Sequence, residues 1–344
     1  MKVLMISGDS GVLDSKSETG KRTEEYRQIL GTLDVLLAYG SVFRFVGAFF
    51  AGLGMLRRGK YDIITAQDAE HSLLAWFFSS LFRVPWQMQI HTDIMSPYFV
   101  QSSVLNKMRV WLAKFLVPRA DGVRVVSNRI KQSLVKFNKD LDKSDKITVL
   151  PVFVDTEKIK SMPVKTDLHI KYPGRFIILM ASRITREKNI GLAIEAVSSR
   201  LIRENKRITL LVVGDGPEIE NLKFKTYKLG LNDSVIFEPR TDDLISYYKT
   251  CDLFLLTSNY EGYGMTLVEA ASAGVKIVSS DVGIAPEILE PENIFKVGDK
   301  NDLAEKLHSA LNQRLLFPKP LTAQTKEDYL ALYKESLEQC QKIF

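Results

Sequence analysis

The densest chemistry in the chain lies in Ser258-Asn-Tyr-Glu-Gly-Tyr-Gly-Met-Thr-Leu-Val-Glu-Ala270, which follows an apolar strand and opens a helix ending at Gly274. Gly262 and Gly264 let a backbone approach a ligand closely, and the helix start at Met265 and Thr266 offers unpaired N–H groups to a phosphate. Glu261 falls in the loop and Glu269 about one turn inside the helix, so two carboxylates could address two ends of one ligand. The same pattern also describes a tight strand-to-helix turn with a solvated Glu269. A second cluster, Ala181-Ser-Arg-Ile-Thr-Arg-Glu-Lys-Asn189, places Arg183, Arg186 and Lys188 between a strand and a helix. Cations at the carboxyl end of a parallel strand suit a diphosphate, although a solvated charged loop reads the same way. Gly214-Asp-Gly-Pro217 also ends a strand and reads as a turn with a helix start.

The elements that must position these residues alternate, short β-branched runs with longer amphipathic ones, as in repeated βαβ units. In the first half the strands are expected at Lys2–Ile6, Tyr61–Thr65, Trp86–Ile90, Gly122–Val126 and Ile147–Leu150. Helical patterns between them include Leu73–Phe82, Leu105–Leu116 and Asn128–Phe137. In the second half strands are expected at Phe176–Met180, Ile208–Val213, Ser234–Phe237, Leu253–Leu256 and Val275–Ser279. Helices from Ile190, Glu218, Asp242, Met265 and Asp302 separate or follow them, and a last helix covers Lys326–Lys342. The polar stretch Asp155–Tyr172, with Pro163 and a Tyr-Pro-Gly turn, is the expected linker between two doubly wound parallel sheets. A mid-chain linker and more than eight strands argue against an eight-fold barrel.

The composition bounds the answer further. A chain of 344 residues exceeds one small core, so two domains are the default. Hydrophobic content of 45% with 26% charged excludes a disordered chain. The two cysteines, Cys251 and Cys340, form no disulfide framework or metal-ligand spacing and fit a reducing compartment. The first residues turn polar at Gly8, too soon for a signal peptide, and the longest apolar stretch, Phe45 to Leu56, is too short to span a bilayer. A cytoplasmic protein is expected. Gly20-Lys21-Arg22 lacks the earlier glycine of a phosphate-binding P-loop, where Ser15 stands, and no G-x-G-x-x-G occurs, which argues against a dinucleotide dehydrogenase.

Taken together, these segments resemble the GT-B glycosyltransferases, specifically the retaining family-4 (group 1) type. The resemblance rests on Glu261…Glu269 with the surrounding Glu-Gly-Tyr-Gly…Leu-Val-Glu-Ala and Ala273-Gly274, on Ser182-Arg183…Glu187-Lys188-Asn189, and on Gly214-Asp-Gly-Pro217. Ser280-Asp-Val-Gly283…Pro286-Glu287 follows in the same order, so the series spans residues 175–310. In the first half Ala120-Asp-Gly…Val126-Ser127 and the strand ending in His91 are also similar. The family implies an α/β, GT-B fold of two Rossmann-like domains facing a cleft. An acceptor-side domain would cover 1–160 plus a returning helix 325–344, and a nucleotide-sugar domain 161–324.

It further implies that Arg183 and Lys188 neutralise a diphosphate leaving group, that Glu269 holds ribose hydroxyls, and that Glu261 holds the donor sugar. The amides of Gly262, Tyr263, Gly264 and Met265, with Thr266, would lie nearby. The base would rest against Glu238-Pro-Arg240-Thr241, and His91 would face the donor sugar from across the cleft. Gly11 would stand near the diphosphate in the first loop, Gly8-Asp-Ser-Gly-Val-Leu-Asp-Ser15. That loop departs from the family's usual adjacent glycine pair, and Val152-Phe153 replaces its usual Asn-Gly after the last strand of the first domain. No cofactor and no metal are implied beyond the nucleotide-diphosphate sugar itself. Asp140-Leu-Asp142 resembles an acidic metal motif but sits in a lysine-rich loop, and reads as a solvated turn.

The net charge of +6 is localised, since residues 101–150 hold 11 Lys/Arg against 4 Asp/Glu. Residues 101–139 combine these cations with Val104, Leu105, Met108, Trp111 and Phe115 at roughly helical spacing. Such a helix can lie on an anionic membrane or pack on a core with a solvated basic face. The expected activity is transfer of a hexose from a nucleotide sugar to a glycan or lipid-linked acceptor, for a surface polysaccharide or glycolipid. The alternatives are a catalytically silent nucleotide-sugar-binding protein and a GT-B sugar-nucleotide epimerase. Peripheral contact with the inner face of the membrane is an expected possibility, and a nucleic-acid partner is not expected.

Overall fold

The computed structural model describes residues 1–40, 42–143, 145–199, 207–321 and 324–344. The chain divides into two units: Met1–Phe153 with Thr325–Phe344, and Val154–Gln324. The division falls at Phe153/Val154, seven residues before the expected boundary, and packing explains it. Phe153 packs on the core of the first unit, whereas Val154 packs on that of the second. Residues of the expected linker instead form helices Thr156–Ser161 and Leu168–Lys171. The second of these is tied to its own unit, because the N–H groups of Lys165 and Leu168 donate to the Ser246 and Thr250 hydroxyls at 2.9 and 3.2 Å.

The first unit is built on a sheet of β1 (Lys2–Ser7), β2 (Thr32–Leu37), β3 (Ile63–Gln67), β4 (Trp86–Ile90), β5 (Gly122–Val125) and β6 (Ile147–Val149), in the order β2-β1-β3-β4-β5-β6. Every pairing is parallel. The central strands are buried along their whole length, as sheets covered on both faces require. The second unit repeats the plan with β7 (Phe176–Ala181), β8 (Ile208–Val213), β9 (Val235–Glu238), β10 (Leu253–Leu256), β11 (Ile277–Ser280) and β12 (Ile294–Phe295), ordered β12-β11-β10-β7-β8-β9 and again all parallel. Winding reverses between β1 and β3 in one sheet and between β7 and β10 in the other. At such points successive loops diverge and leave a crevice at the carboxyl edge.

Beyond the sequence reading, the first unit contains β2 and helices Glu18–Leu30, Pro97–Ser102 and Val42–Arg58. The apolar stretch from Phe45 to Leu56 lies in the last of these. Its Gly52 is a packing contact, because a Cβ there would meet the Phe78 ring at 2.5 Å and Leu36 at 2.9 Å.

The chain returns to the first unit as helix Lys326–Ile343, capped by Thr325, whose hydroxyl accepts from the Asp328 N–H at 3.1 Å. Tyr329, Tyr333, Leu337 and Cys340 line one face at helical spacing and are buried with Val3, Met5, Tyr26, Leu30 and Ile63. Tyr26 stacks on Tyr333 with ring centroids 4.0 Å apart, and its hydroxyl is 2.7 Å from that of Tyr329. Truncating a buried aromatic residue in such a core typically costs about 3–5 kcal/mol. Tyr333→Ala is therefore expected to lower the urea unfolding midpoint clearly, and an unchanged midpoint would show that the returning helix is not part of this core.

Candidate active site

In the second unit the loops after β7 and β10 flank the reversal point, and they are sewn together. The Asn259 N–H donates to the Glu187 carbonyl at 2.8 Å, and Asn189 Nδ2 donates to Asn259 Oδ1 at 3.0 Å. The Thr257 hydroxyl lies 2.8 Å from the Lys188 carbonyl and 3.0 Å from that of Asn189. Between the loops, Lys188 Nζ stands 2.5 Å from Glu261 Oε1, with side chains only 17% and 14% exposed. The Ser258 hydroxyl donates to the same Oε1 at 2.7 Å. A lysine and a carboxylate 73 positions apart thus meet where a parallel sheet binds its ligands.

The third member of that edge is the loop Gly214-Asp-Gly216 after β8. Gly214 adopts φ 145°, and a Cβ there would come within 2.0 Å of the Ser182 carbonyl oxygen. A Cβ on Gly216 would meet the Ile184 carbonyl at 2.3 Å. The Ile184 N–H donates to the Asp215 carbonyl at 2.8 Å, so the glycines allow this loop to hold the Ser182–Ile184 backbone directly. Arg183, between those two residues, carries its side chain at the surface.

The Glu261–Gly264 loop leads into helix Met265–Ala273, whose N-cap, Gly264, has φ 94° and supplies no side-chain cap. The loop is braced from behind, since the Ile284 N–H donates to the Tyr263 carbonyl at 2.9 Å and the Ser280 hydroxyl to the Ser258 carbonyl at 2.7 Å. Burial, with Glu287 nearby, pushes the Tyr263 hydroxyl pKa up to about 12. Met265 and Thr266 occupy the exposed first turn, and Glu269 lies one turn further on, half-buried, accepting from the Tyr248 hydroxyl at 3.0 Å. Arg183, Lys188, Glu261, Gly262, Tyr263, Gly264, Met265, Thr266 and Glu269 thus gather on the β7 and β10 side of one sheet edge.

The Glu238–Thr241 segment follows β9 at the same edge, but the Glu238 carboxylate is committed elsewhere. It accepts from Lys171 Nζ and the Tyr247 hydroxyl, both at 2.7 Å, and from the Tyr172 hydroxyl. Burial opposes its ionisation, yet these three donors hold its pKa below the usual carboxylate range. Glu238 therefore staples helix Leu168–Lys171 to the sheet, and its carbonyl accepts from the Gly214 N–H at 3.0 Å. Arg240 is exposed, its N–H donating to Asp215 Oδ2 at 3.3 Å, and the Thr241 hydroxyl accepts from the Asp243 N–H at 3.1 Å.

The first unit has its own crevice of about 350 Å³ at the β1/β3 reversal, lined among others by Asp9, Gln67, Asp68, Glu70, His71 and Arg109. Asp9 belongs to the first loop and Arg109 to the basic segment of the sequence reading, but Gln67, Asp68, Glu70 and His71 went unread, although Asp68-Ala-Glu-His71 directly after a strand was a usable signal. Asp68 holds φ 58°, unusual for a residue other than glycine, and burial raises its carboxyl pKa. Gly11 does not line this crevice: it lies in a short 3-10 turn, where its N–H donates to Asp9 Oδ1 at 2.8 Å. The close approach belongs to Gly8, whose Cβ would meet the His71 ring at 2.5 Å. His71 is held with its two ring nitrogens 2.7 and 2.8 Å from the Gln67 and Ala38 carbonyls. His91 follows β4, and burial together with the Arg124 and Arg22 charges lowers its pKa to about 3, so its ring is neutral at physiological pH. Asp140 and Asp142 are exposed on the 3-10 turn Lys139–Lys143.

Both halves match known families. Residues 166–328 match the family described as glycosyl transferases group 1, and residues 24–152 match the glycosyl transferase 4-like domain. The chain belongs to the GT-B glycosyltransferases of group 1. It is 25% identical over 244 residues to the alpha-monoglucosyldiacylglycerol synthase of Streptococcus pneumoniae, an alignment covering 67% of this chain and 54% of that protein. It is 27% identical over 221 residues to the N-acetyl-alpha-D-glucosaminyl L-malate synthase of Bacillus anthracis, covering 59% of this chain and 56% of the relative. The chain thus spans about half the length of these curated relatives. Among solved structures, HepE of Anabaena in complex with UDP and glucose superposes with a TM-score of 0.69 at 21% identity, covering 100% of this chain and 98% of that one. At that identity the likeness is one of fold.

Two expectations follow from the site's packing. Gly214→Ala should cost about 1–3 kcal/mol in a urea titration, because neither its φ nor the Ser182 carbonyl tolerates a Cβ; an unchanged midpoint would contradict the close approach. For Glu269, burial raises the carboxyl pKa against the opposing Tyr248 hydrogen bond. The folded state then holds the proton more tightly than the unfolded chain, so this contribution is present below the unfolded pKa and lost as pH rises through the folded one. Glu269→Gln keeps an acceptor for Tyr248 and removes the charge. Its Tm is expected to exceed the wild-type value near about pH 8 and to converge with it below about pH 4. A variant that melts below the wild type at the higher pH contradicts this.

Proposed function

We propose that the chain moves a hexose from a nucleotide-diphosphate sugar to a glycan or lipid-linked acceptor, with retention of anomeric configuration and without a metal ion. The observation that carries this reading is the Lys188–Glu261 pair at the β7/β10 crevice, beside a helix start that no side chain caps. Breaking a sugar–phosphate bond leaves negative charge on the diphosphate and positive charge on the sugar ring. Fixed cations and oriented N–H groups at the first, and a carboxylate near the second, stabilise that separation without reorganising. In this reading Lys188, Arg183 and the amides of Gly262 to Met265 take the diphosphate, Glu261 the sugar hydroxyls and Glu269 the ribose hydroxyls. The acceptor hydroxyl attacks from the face the leaving group departs, and the departing phosphate oxygen takes its proton. No side chain need serve as nucleophile or base.

Several relatives support the donor and acceptor classes. HepE is solved with UDP-glucose, and the pneumococcal relative is named alpha-monoglucosyldiacylglycerol synthase. The acceptor is assigned to the crevice of the first unit, where Asp9, Gln67 and Asp68 offer acceptors for hydroxyl groups. A neutral His91 at that sheet edge can hydrogen-bond a sugar hydroxyl. Peripheral contact with an anionic membrane through helix Val104–Leu116 belongs to the same reading. No described helix is long and apolar enough to cross a bilayer.

The test is nucleotide release from UDP-, GDP- and ADP-sugars, with the anomer of the first sugar released read by NMR. One donor is expected to react, giving the donor's own configuration, and Lys188→Ala and Glu261→Ala should each lower the rate about 100-fold or more. Tight donor binding without release from any donor would instead indicate a silent binder. A product changed at the sugar's C2 would indicate an epimerase.

A further inference from the structure

Two stretches of the first unit contain no acidic residue: 35–61, with Arg44, Arg57, Arg58 and Lys60, and 94–120, with Lys107, Arg109, Lys114 and Arg119. In a chain with 41 Asp and Glu among 344 residues, runs of this length would ordinarily hold about three acids each. The runs are remote in sequence, but their helices, Val42–Arg58 and Val104–Leu116, both pack on the helix between them, Asp68–Phe82. An aromatic series joins all three. Phe49 lies 5.5 Å from Phe50 and 5.0 Å from Phe77; on the neighbouring position, Trp76 meets Phe115 edge-on at 5.3 Å, and Phe115 stacks on Trp111 at 6.3 Å.

The outer side of this layer is apolar and uncovered. On the first helix Phe43, Val46 and Phe50 share a stripe, with Phe43 88% and Phe50 65% exposed. On the third, Val104, Met108 and Trp111 recur at helical spacing, with Trp111 70% exposed. Phe77 and Leu81 are exposed on the helix between. Helix Val104–Leu116 was expected in the sequence to present such a stripe; helix Val42–Arg58 was not, and it doubles the face. Cations border the layer, Arg44 over the Tyr39 ring at 4.9 Å, Arg119 over Phe115 at 3.9 Å, and Lys114 over Phe137 at 5.1 Å.

We infer that this three-helix layer is a docking face for an anionic lipid surface, entered by Phe43, Phe50 and Trp111 and held by the surrounding Arg and Lys side chains. A protein partner would need a shape matched to single aromatic rings standing proud of two helices, whereas acyl chains and headgroups accommodate them freely. The middle helix brings two acids, Asp68 and Glu70, but at its crevice end, where Glu70 pairs with Arg109; aromatic side chains at the headgroup boundary flanked by the remaining cations are what an interfacial surface requires. The inference rests on the transferase reading for its purpose, but its observations and its test stand apart from it.

The test is co-sedimentation with vesicles of phosphatidylcholine alone or with phosphatidylglycerol, beside Trp fluorescence. The wild type should pellet with the anionic vesicles alone, and Trp emission should shift to the blue. Phe43→Ser with Phe50→Ser, Trp111→Ser, and Arg57→Glu with Arg58→Glu should each reduce partitioning about tenfold or more. Tm and nucleotide release should stay at wild-type values in all three. Equal pelleting on both vesicles, none on either, or unchanged partitioning of the variants would overturn the inference. So would a dimer in sedimentation velocity that Phe43→Ser with Phe50→Ser dissociates, since the face would then belong to a second copy. Vesicle binding that follows the expected pattern without any nucleotide release upholds this inference and fails the transferase reading alone.

Discussion

The Lys188–Glu261 pair is the constraint on which the second unit's site depends. Around it two loops with no sheet pairing of their own are joined by backbone and side-chain hydrogen bonds, which the winding reversal between β7 and β10 makes possible. A lysine and a carboxylate at 2.5 Å and mostly shielded from solvent hold each other's charge in place before any ligand arrives, so a charged ligand meets a cradle already oriented. Without Lys188, Glu261 would keep the Ser258 hydroxyl but lose its cation. Without Glu261, Lys188 would be a half-buried cation with no carboxylate beside it. The Gly214 and Gly216 contacts serve the same end from below, fixing the backbone that carries Arg183.

The first unit is organised around a different charge. Arg124 on β5 is 2% exposed, and it donates to Gln89 Oε1, the Tyr329 hydroxyl and the Leu150 carbonyl at 3.0, 3.1 and 3.3 Å. No carboxylate is among these partners. Neutral acceptors share the charge, with the Tyr333 ring 5.1 Å away, while the guanidinium Nε is buried without a hydrogen-bond partner, so loss of any further acceptor would be costly. Leu150 lies just before the chain leaves the unit and Tyr329 just after it returns, and the Phe153 and Tyr329 rings are 5.6 Å apart. One guanidinium therefore fastens both connections. Its charge also adds to burial, the larger cause, in lowering the pKa of His91.

Much of this was legible in the sequence, and the failures have physical causes. Strands Trp86–Ile90, Ile208–Val213 and Leu253–Leu256 fall as read, because each is a short run buried along its whole length in the middle of a parallel sheet, although only Ile208–Val213 is rich in β-branched residues. β3 runs from Ile63 to Gln67, two residues beyond its reading, because Gln67 at the carboxyl edge is polar while still paired. β2 carries Asp34 in its middle, where Tyr61 donates to it at 2.7 Å, a long-range partner that local pattern does not disclose. Helix Val42–Arg58 hides behind three glycines, one of them required by the Phe78 ring. At the site, residue types and loop positions were readable, but pairings were not. Lys188 with Glu261, Tyr248 with Glu269, and the three donors that occupy Glu238 depend on topology.

The two features of the first unit share their helices. Helix Asp68–Phe82 begins with Asp68, Glu70 and His71 in the polar crevice and continues to Phe77 and Leu81 on the apolar face. From Glu70 to Leu81 the helix rises about 16 Å. Helix Val104–Leu116 repeats the link, because Arg109 reaches Glu70 in the crevice while Trp111 stands on the face. The polar crevice and the apolar face are thus built on the same two helices, one at each end of helix Asp68–Phe82, so a shift of either helix in its packing would move both features together.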